Sequence, residues 1–296
     1  MRTAQYGIFT LGNPSHSFLE FDLLKGKTGG ELVAAVKAFS KPRTTGGGVN
    51  LVVGFRPELW RELAPEDTPA EISGFNNNLV GPDGYTMPAT QHDVVLWFTS
   101  STYDYIFDLT RDAVEALSTV ASIVDETASW PYRGNHDLTG FIDGTENPKL
   151  TEAPEVVMVP PGSPGEGGSV LLLQKWPHDR EKWESLAVSK QELVIGRTKT
   201  DSIELDPKPE DSHAAKTDQD TFGKILRRNM PFGTFTEHGT MFVGFSAEQA
   251  RLHKMLESMA GLIGGKRDAL TYYTRPVTGA YYFVPAVESL APPEEE

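Results

Sequence analysis

Two short runs carry side chains whose types and spacing suit acid–base chemistry. The first, Gly140-Phe141-Ile142-Asp143-Gly144-Thr145-Glu146-Asn147-Pro148, sets a carboxylate between glycines and bulky apolar residues, which holds it close to a neighbour on a tight turn. That run alone decides nothing, because Asp-Gly is also a common turn dipeptide. The second, Ile225-Leu226-Arg227-Arg228-Asn229-Met230-Pro231-Phe232-Gly233, places two Arg in an otherwise apolar strand that ends in a Pro-Phe-Gly turn. Adjacent strand residues point to opposite faces, so one of Arg227 and Arg228 turns inward, where a guanidinium needs an anion. A structural ion pair with one of the 41 Asp and Glu residues answers that need as well as a catalytic role does. The seven His, at positions 16, 92, 136, 178, 213, 238 and 253, offer metal ligands or plain structural imidazoles. Pattern does not choose among them, since His253 lies on an amphipathic helix and His92 and His238 open equivalent strands.

What is missing narrows the chemistry. With no Cys, the chain has no disulfides, thiolate nucleophiles, iron–sulfur clusters or Cys-based zinc sites. Redox chemistry here needs another cofactor. Neither His-Glu-x-x-His nor Gly-x-Ser-x-Gly occurs. Gly26-Lys27-Thr28 imitates the end of a phosphate-binding loop, but Phe21 stands where its opening Gly is required. Gly46-Gly47-Gly48 leads into a strand rather than from a strand into a helix, which makes it a flexible turn and not a dinucleotide fingerprint.

The first run resembles the Gly-x-x-Asp-Gly signature of the dye-decolourising peroxidase family, continuing into Thr145-Glu146-Asn147-Pro148. The Arg-x-Asn-Met-Pro-Phe-Gly segment from Arg227 matches it too, as does Pro276-Val277-Thr278-Gly279-Ala280-Tyr281-Tyr282-Phe283-Val284-Pro285. The likeness spans nearly the whole chain, and its compact form is similar to the P-type subgroup, formerly class B. It implies haem b as cofactor and His213, in Asp211-Ser212-His213-Ala214, as the proximal iron ligand. Asp268 is then the carboxylate that accepts the other imidazole N–H and makes the ligand more electron-donating. Arg197 meets a haem propionate, Glu146 and Asn147 lie near the same edge, and Ile142, Gly144, Thr145 and Phe242 complete the cofactor site.

The activity implied is reduction of hydrogen peroxide with oxidation of dyes, phenolics or other bulky donors through Compound I. Asp143 moves a proton from the inner to the outer peroxide oxygen, Arg227 supplies positive charge as the O–O bond breaks, and Asn229 orients peroxide or a water. A carboxylate base works only when ionised, so activity is expected to peak on the acidic side. An acidic residue beside a propionate also suits a reducing cation, and bulky donors deliver electrons through surface Trp or Tyr. The rival within haem biology is a protein that carries haem or removes its iron, which needs the same His213. Outside it stands a ligand-binding or oligomer-forming pair of ferredoxin-like halves, because that fold hosts many functions.

These residues need elements to position them, and the pattern supplies a repeat. His92–Phe98 reads as a mostly buried strand, followed by an amphipathic helix over 101–120 with Ile106, Val114 and Leu117 inward. The same sentence recurs 146 residues later at His238–Phe245. There Ser246 and Gln249 form a capping box for a helix through Leu252, Met255, Leu256 and Met259. Further strands are expected near 6–11, 49–55, 121–125, 169–176, 225–230 and 278–284, and helices near 29–39 and 179–195. That is a split βαβ unit used twice, an α+β fold of tandem ferredoxin-like halves with antiparallel sheets and helices on one face. The expected domains are 1–150, carrying the distal motif, and 151–296, holding the haem. The segment 160–168, rich in Pro and Gly, reads as a surface loop, and the tail from Ala291 as an acidic frayed end.

At 296 residues the chain can bury a core large enough for a bulky cofactor, and 39% hydrophobic with 23% charged residues is ordinary for a folded protein. A net charge of −14 without a basic stripe argues against nucleic acid. No apolar run approaches about 18 residues and no leader pattern opens the chain, so no membrane partner and a cytoplasmic home are expected. The resemblance adds a homo-oligomer, while Glu288-Ser289-Leu290 and the acidic tail show no obvious shell-directing peptide.

Overall fold

The computed structural model describes residues 2–39 and 48–291. Gly46, Gly47 and residues 292–296, which include most of the acidic tail, lie outside them. In chain order the first part runs β1 (Ser15–Leu23), α1 (Gly29–Phe39), β2 (Asn50–Phe55), α2 (Pro57–Leu63), the small hairpin β3 (Leu79–Val80) and β4 (Thr86–Met87), β5 (Val94–Ser100), α3 (Tyr103–Leu117) and β6 (Ala121–Ser129). The second runs α4 (Ala153–Val157), β7 (Ser169–Pro177), α5 (Arg180–Glu184), α6 (Val188–Ile195), α7 (His213–Lys216), α8 (Gln219–Phe222), β8 (Leu226–Arg227), β9 (Met230–Gly233), β10 (His238–Ser246), α9 (Gln249–Met259), β11 (Ala280–Val284) and α10 (Val287–Leu290).

Nine strands form one antiparallel sheet in the order β7-β11-β2-β5-β1-β6-β9-β10-β8, and a further pairing of β7 with β10 closes it into a barrel. The α+β class and antiparallel pairing agree with expectation; closure was not expected from the sequence. Its two seams are thin: Phe283 opposite Phe55 joins β11 to β2, and Ser129 opposite Phe232 joins β6 to β9. Strand alternation sends one set of side chains inside and the other outward under the helices. Phe18, Trp97, Leu171, Leu173, Met241 and Phe245 fill the interior, with Trp97 stacked on Phe18 at 5.4 Å and on Phe245 at 6.1 Å. Leu19, Phe21, Leu96, Phe98, Val170 and Leu172 pack outside it, where α3 contributes Ile106, Ala113 and Leu117.

Several expectations are corrected. The strand near 6–11 is a 3-10 turn, Tyr6–Ile8, whose Ile8 is fully buried in the barrel core. The true first strand is β1, hidden from the pattern because His16 and Glu20 are polar yet buried. The helix over 179–195 is two, α5 and α6, interrupted at Ser185–Ala187. The strand near 225–230 is broken between β8 and β9, where Arg228 N donates to Val243 O at 2.8 Å and Asn229 Oδ1 accepts from Val243 N at 3.0 Å. No capping box forms at 246–249. Ser246 Oγ accepts from Glu248 N at 3.1 Å, while Gln249 exchanges hydrogen bonds with the Ser73 backbone at 2.8 Å each way. Tertiary contact has taken the side chain that the local motif needed. The segment 160–168 is free of helix and strand, as expected.

Candidate active site

The outer faces of β7 and β10, the inward face of α9 and the loop around Asp143 enclose a cavity of about 1460 Å³, counting its open mouth. Its floor is apolar, with Leu172 and Phe242 from the barrel wall and Leu252, Met255, Leu256 and Met259 from α9. Those four α9 residues repeat at helical spacing and are buried in the outer core, so one helix face both packs against the barrel and lines the cavity. Gly244 makes room for Phe242: a Cβ there would lie 2.7 Å from the Phe242 ring.

His213 opens α7, placed by Ser212, whose hydroxyl accepts from Ala215 N. Preceding it in space, α6 ends at Gly196 in the left-handed region (φ 87°), where a side chain would meet Ser212 Oγ at 2.5 Å. That glycine lets Arg197 and His213 share one wall. His213 Nδ1 donates to Asp268 Oδ2 at 2.7 Å, and Asp268 Oδ1 accepts from Leu270 N at 2.8 Å; the carboxylate is fully buried. A carboxylate can only accept, so the proton sits on Nδ1 and the Nε2 lone pair is left for another partner.

Asp143 lines the same cavity, with Gly144 N donating to its Oδ1 at 2.6 Å. Arg227 lines it too, and its Nε is buried without a hydrogen-bond partner among the described residues. Asn147 grips the Arg227 backbone from both sides: its Nδ2 donates to Arg227 O and its Oδ1 accepts from Arg227 N, each at 2.8 Å. Arg197 stands at the rim between Glu146 (2.5 Å) and Glu204 (3.8 Å). Arg227 Nε, buried without a hydrogen-bond partner among the described residues, and the His213 Nε2 lone pair belong to residues that line one cavity, a donor set that fits a ligand held between them. No group of three or more His, Asp or Glu among the described residues could hold a metal ion unaided.

Comparison with known proteins gives this geometry a family. The N-terminal Dyp-type peroxidase pattern matches residues 5–130 and the C-terminal pattern residues 134–289. The chain belongs to the Dyp-type peroxidase family. A dye-decolorizing peroxidase of Mycobacterium tuberculosis is 37% identical over 255 residues, covering 83% of this chain and 76% of the relative. Among solved structures, a DypB variant of Rhodococcus jostii in complex with heme superposes with TM-score 0.83 at 30% identity, covering 98% of this chain and 99% of that one. An encapsulated DyP-type peroxidase from Mycobacterium smegmatis gives 0.86 at 32%, covering 100% and 99%.

In this Dyp-type peroxidase the cavity brings together Ile142, Asp143, Thr145, Glu146, Arg197, His213, Arg227, Asn229 and Phe242 from the residues read in the sequence. Gly144, Asn147 and Asp268 stand one layer back, acting on Asp143, Arg227 and His213 respectively. Arg228, not Arg227, faces the barrel interior. It is bound to the carbonyls of Ile8 (2.7 Å) and Thr10 and lies over the Trp97 ring, so two backbone oxygens and a π face replace the expected anion.

Sequence reasoning missed Asp137, Gln174 and His178, all on the cavity wall. Burial pushes the Asp137 carboxyl up to about 6, Asp143 adds to the rise, and hydrogen bonds from the Thr139 hydroxyl and backbone N–H oppose it. Burial pulls the His178 imidazole down to about 4. A polar Gln174 inside the apolar run Val170–Trp176 was a visible signal; its Nε2 is buried without a partner among the described residues. No described helix is long and apolar enough to cross a membrane.

Proposed function

We propose that this peroxidase holds haem b through His213 Nε2 and uses Asp143 and Arg227 to cleave hydrogen peroxide. The observation that carries the reading is the His213–Asp268 pair at the wall of a large apolar cavity that Asp143 and Arg227 also line. When bound, haem supplies an iron that takes up the two oxidising equivalents of peroxide. Asp268 fixes the imidazole tautomer and raises its electron donation. Asp143 accepts the proton of the inner peroxide oxygen and returns it to the outer one, so that this oxygen leaves as water. Arg227, held by Asn147, brings positive charge to the oxygen where negative charge develops, worth about 3 kcal/mol by comparison with single oxyanion-hole donors. Asn229, its Oδ1 engaged by Val243 N, turns its amide N–H groups to peroxide or a water. Ile142, Gly144, Thr145 and Phe242 shape the pocket, and Arg197 meets a propionate, sharing that role with its bonds to Glu146 and Glu204.

A haem carrier or iron-removing protein explains His213 equally well. It gives no reason for an Arg227 Nε without a hydrogen-bond partner among the described residues in a cavity that Asp143 also lines, which favours the peroxidase. The two sheet segments, β2-β5-β1-β6 and β9-β10-β7-β11, share one strand order. They support reading the chain as two ferredoxin-like halves meeting near residue 150, with haem in the second. Bulky electron donors, homo-oligomeric assembly and a cytoplasmic home belong to the same proposal.

The test is the visible spectrum of the haem-loaded protein before and after stoichiometric peroxide. The wild type should shift its Soret band and oxidise an anionic dye. His213→Ala should fail to hold haem, and Asp143→Asn and Arg227→Leu should load it but respond slowly. A His213→Ala variant that loads haem with an unchanged spectrum refutes the ligand assignment.

A further inference from the structure

A second cavity, about 670 Å³ with its mouth, adjoins the first and shares Thr139, His178, Leu270 and Thr274 with it. Its remaining wall holds three aromatic rings, Tyr132, Trp183 and Tyr273, the last two edge to face at 5.4 Å, together with Leu138, the His238 imidazole and two charged side chains. Trp183 is fixed by donating from Nε1 to Thr139 O at 3.0 Å. The two charged side chains, Arg180 and Glu184, pair with each other at 2.9 Å and leave no net charge for an ionic ligand. Such walls favour a neutral aromatic ring. In the partition between the cavities stands His178, whose Nε2 meets Thr240 Oγ1 at 3.1 Å; Nδ1 has no hydrogen bond among the described residues.

We propose that this second cavity is a binding site for small phenols and that His178 Nδ1 takes the phenolic proton as the electron passes to the neighbouring site. The proposal rests on the haem peroxidase reading for its oxidant. In each turn the O–H bond of the phenol breaks, an N–H bond forms on His178, and one electron enters the peroxide-oxidised centre, leaving a neutral phenoxyl radical; His178 then gives up the proton, and the two protons released over two turns complete the second water. Two turns consume one peroxide: two phenols and hydrogen peroxide give two phenoxyl radicals and two waters. Burial keeps His178 neutral above about pH 4, so the ring is free to accept a proton across the acidic and neutral range. Its weak basicity is no obstacle, because a phenol losing an electron becomes a far stronger acid than imidazolium.

The test uses guaiacol and ferrocyanide, a donor that gives an electron without a proton. Calorimetric titration of guaiacol into the haem-loaded protein without peroxide reads the cavity directly. His238→Trp and Glu184→Trp, which fill it from two sides, should each weaken guaiacol binding at least ten-fold, and two variants guard against misfolding of one. His178→Gln, which can still bond Thr240 but takes up no proton, should weaken guaiacol binding less than either filled variant does. It should also lower the ratio of guaiacol to ferrocyanide turnover at least ten-fold at pH 6. Unchanged guaiacol affinity in both filled variants overturns the site, and an unchanged ratio in His178→Gln overturns its role as proton acceptor. If wild type fails to oxidise ferrocyanide on peroxide addition, the haem peroxidase reading has failed, and the calorimetric arm still decides the binding site.

Discussion

Replacing Asp268 by Asn keeps size and shape while removing the charge behind His213, and its effect follows from the two hydrogen bonds the carboxylate accepts. Oδ2 accepts from His213 Nδ1 at 2.7 Å and Oδ1 from Leu270 N at 2.8 Å. An Asn side chain can accept on one side only. If its oxygen stays on Leu270 N, its NH₂ faces Nδ1 and forces the proton onto Nε2, the nitrogen proposed to ligate iron. If the amide flips, NH₂ faces the Leu270 N–H and a buried donor loses its acceptor. The first arrangement blocks Nε2 and the second leaves the Leu270 N–H without its acceptor, and both lose the charge-assisted bond to His213, worth about 1.5–3 kcal/mol. At 1.4 kcal/mol per ten-fold, haem affinity should fall about 10- to 150-fold. The assay is the rate and extent of haem transfer to excess apomyoglobin, followed in the Soret region, with the apoprotein melted alongside to show that the fold is intact. Haem retention within two-fold of wild type in a folded Asp268→Asn protein would refute the reasoning.

Other consequences are equally open to measurement. Arg227→Leu should lower kcat/KM for peroxide about a hundred-fold, the rate equivalent of about 3 kcal/mol, with haem loading intact; a loss under five-fold removes Arg227 from O–O cleavage. Asp137 is pushed up to about 6, so rising pH should add its negative charge beside Asp143 and depress peroxide turnover across pH 6. Asp137→Asn should erase that inflection, and its persistence would assign it elsewhere. Glu20, buried inside the barrel and hydrogen-bonded by Tyr282, is pushed up to about 7 from 4.5. Its raised value means the native state keeps a proton that the unfolded chain releases. Stability is therefore full below pH 4.5 and falls by about 3 kcal/mol as pH passes 7. Glu20→Gln should melt above wild type at pH 8 and close to it at pH 4; a constant gap contradicts the linkage.

The residues best legible in the sequence were those whose role depends on a rigid local run. Asp143 sits in a glycine-bounded turn and Arg227 in an apolar strand, and both line the cavity, although the runs alone left their roles open. The apolar strands β7 and β10 were equally visible. Side chains that act across the fold were harder to read. Asn147 holds the backbone of Arg227 from 80 residues away, and no local pattern announces such a clamp. His178 belongs to the cavity only because β7 and β10 pair, placing it beside Thr240. Closure of the barrel was illegible for a similar reason. Each seam is a single residue pair, too little to leave a signature, and β1 was disguised by His16 and Glu20, polar groups the interior satisfies with Asn13, Trp97 and Tyr282.

The neighbours Arg227 and Arg228 show how the barrel wall couples fold to chemistry. One strand position apart, they project to opposite sides of the same wall, and both sides are enclosed. Arg228 is spent on structure, tying β8 to the turn Tyr6–Ile8 through Ile8 O and resting on Trp97 at 5.5 Å. Because that anchor fixes the backbone at 228, and Asn147 fixes it at 227, the Arg227 guanidinium is aimed into the cavity before any ligand arrives. Its Nε has no hydrogen-bond partner among the described residues, and on the proposed reading a bound ligand is what it is preorganised to meet. The two residues are separable by experiment. Arg228→Met should lower the melting temperature of the apoprotein, since it strands two buried carbonyls. Arg227→Met should leave that temperature unchanged or raise it, since it removes an unsatisfied buried donor. The opposite ordering would mean that Arg227 has a partner in the apoprotein and that the site is not poised for its ligand.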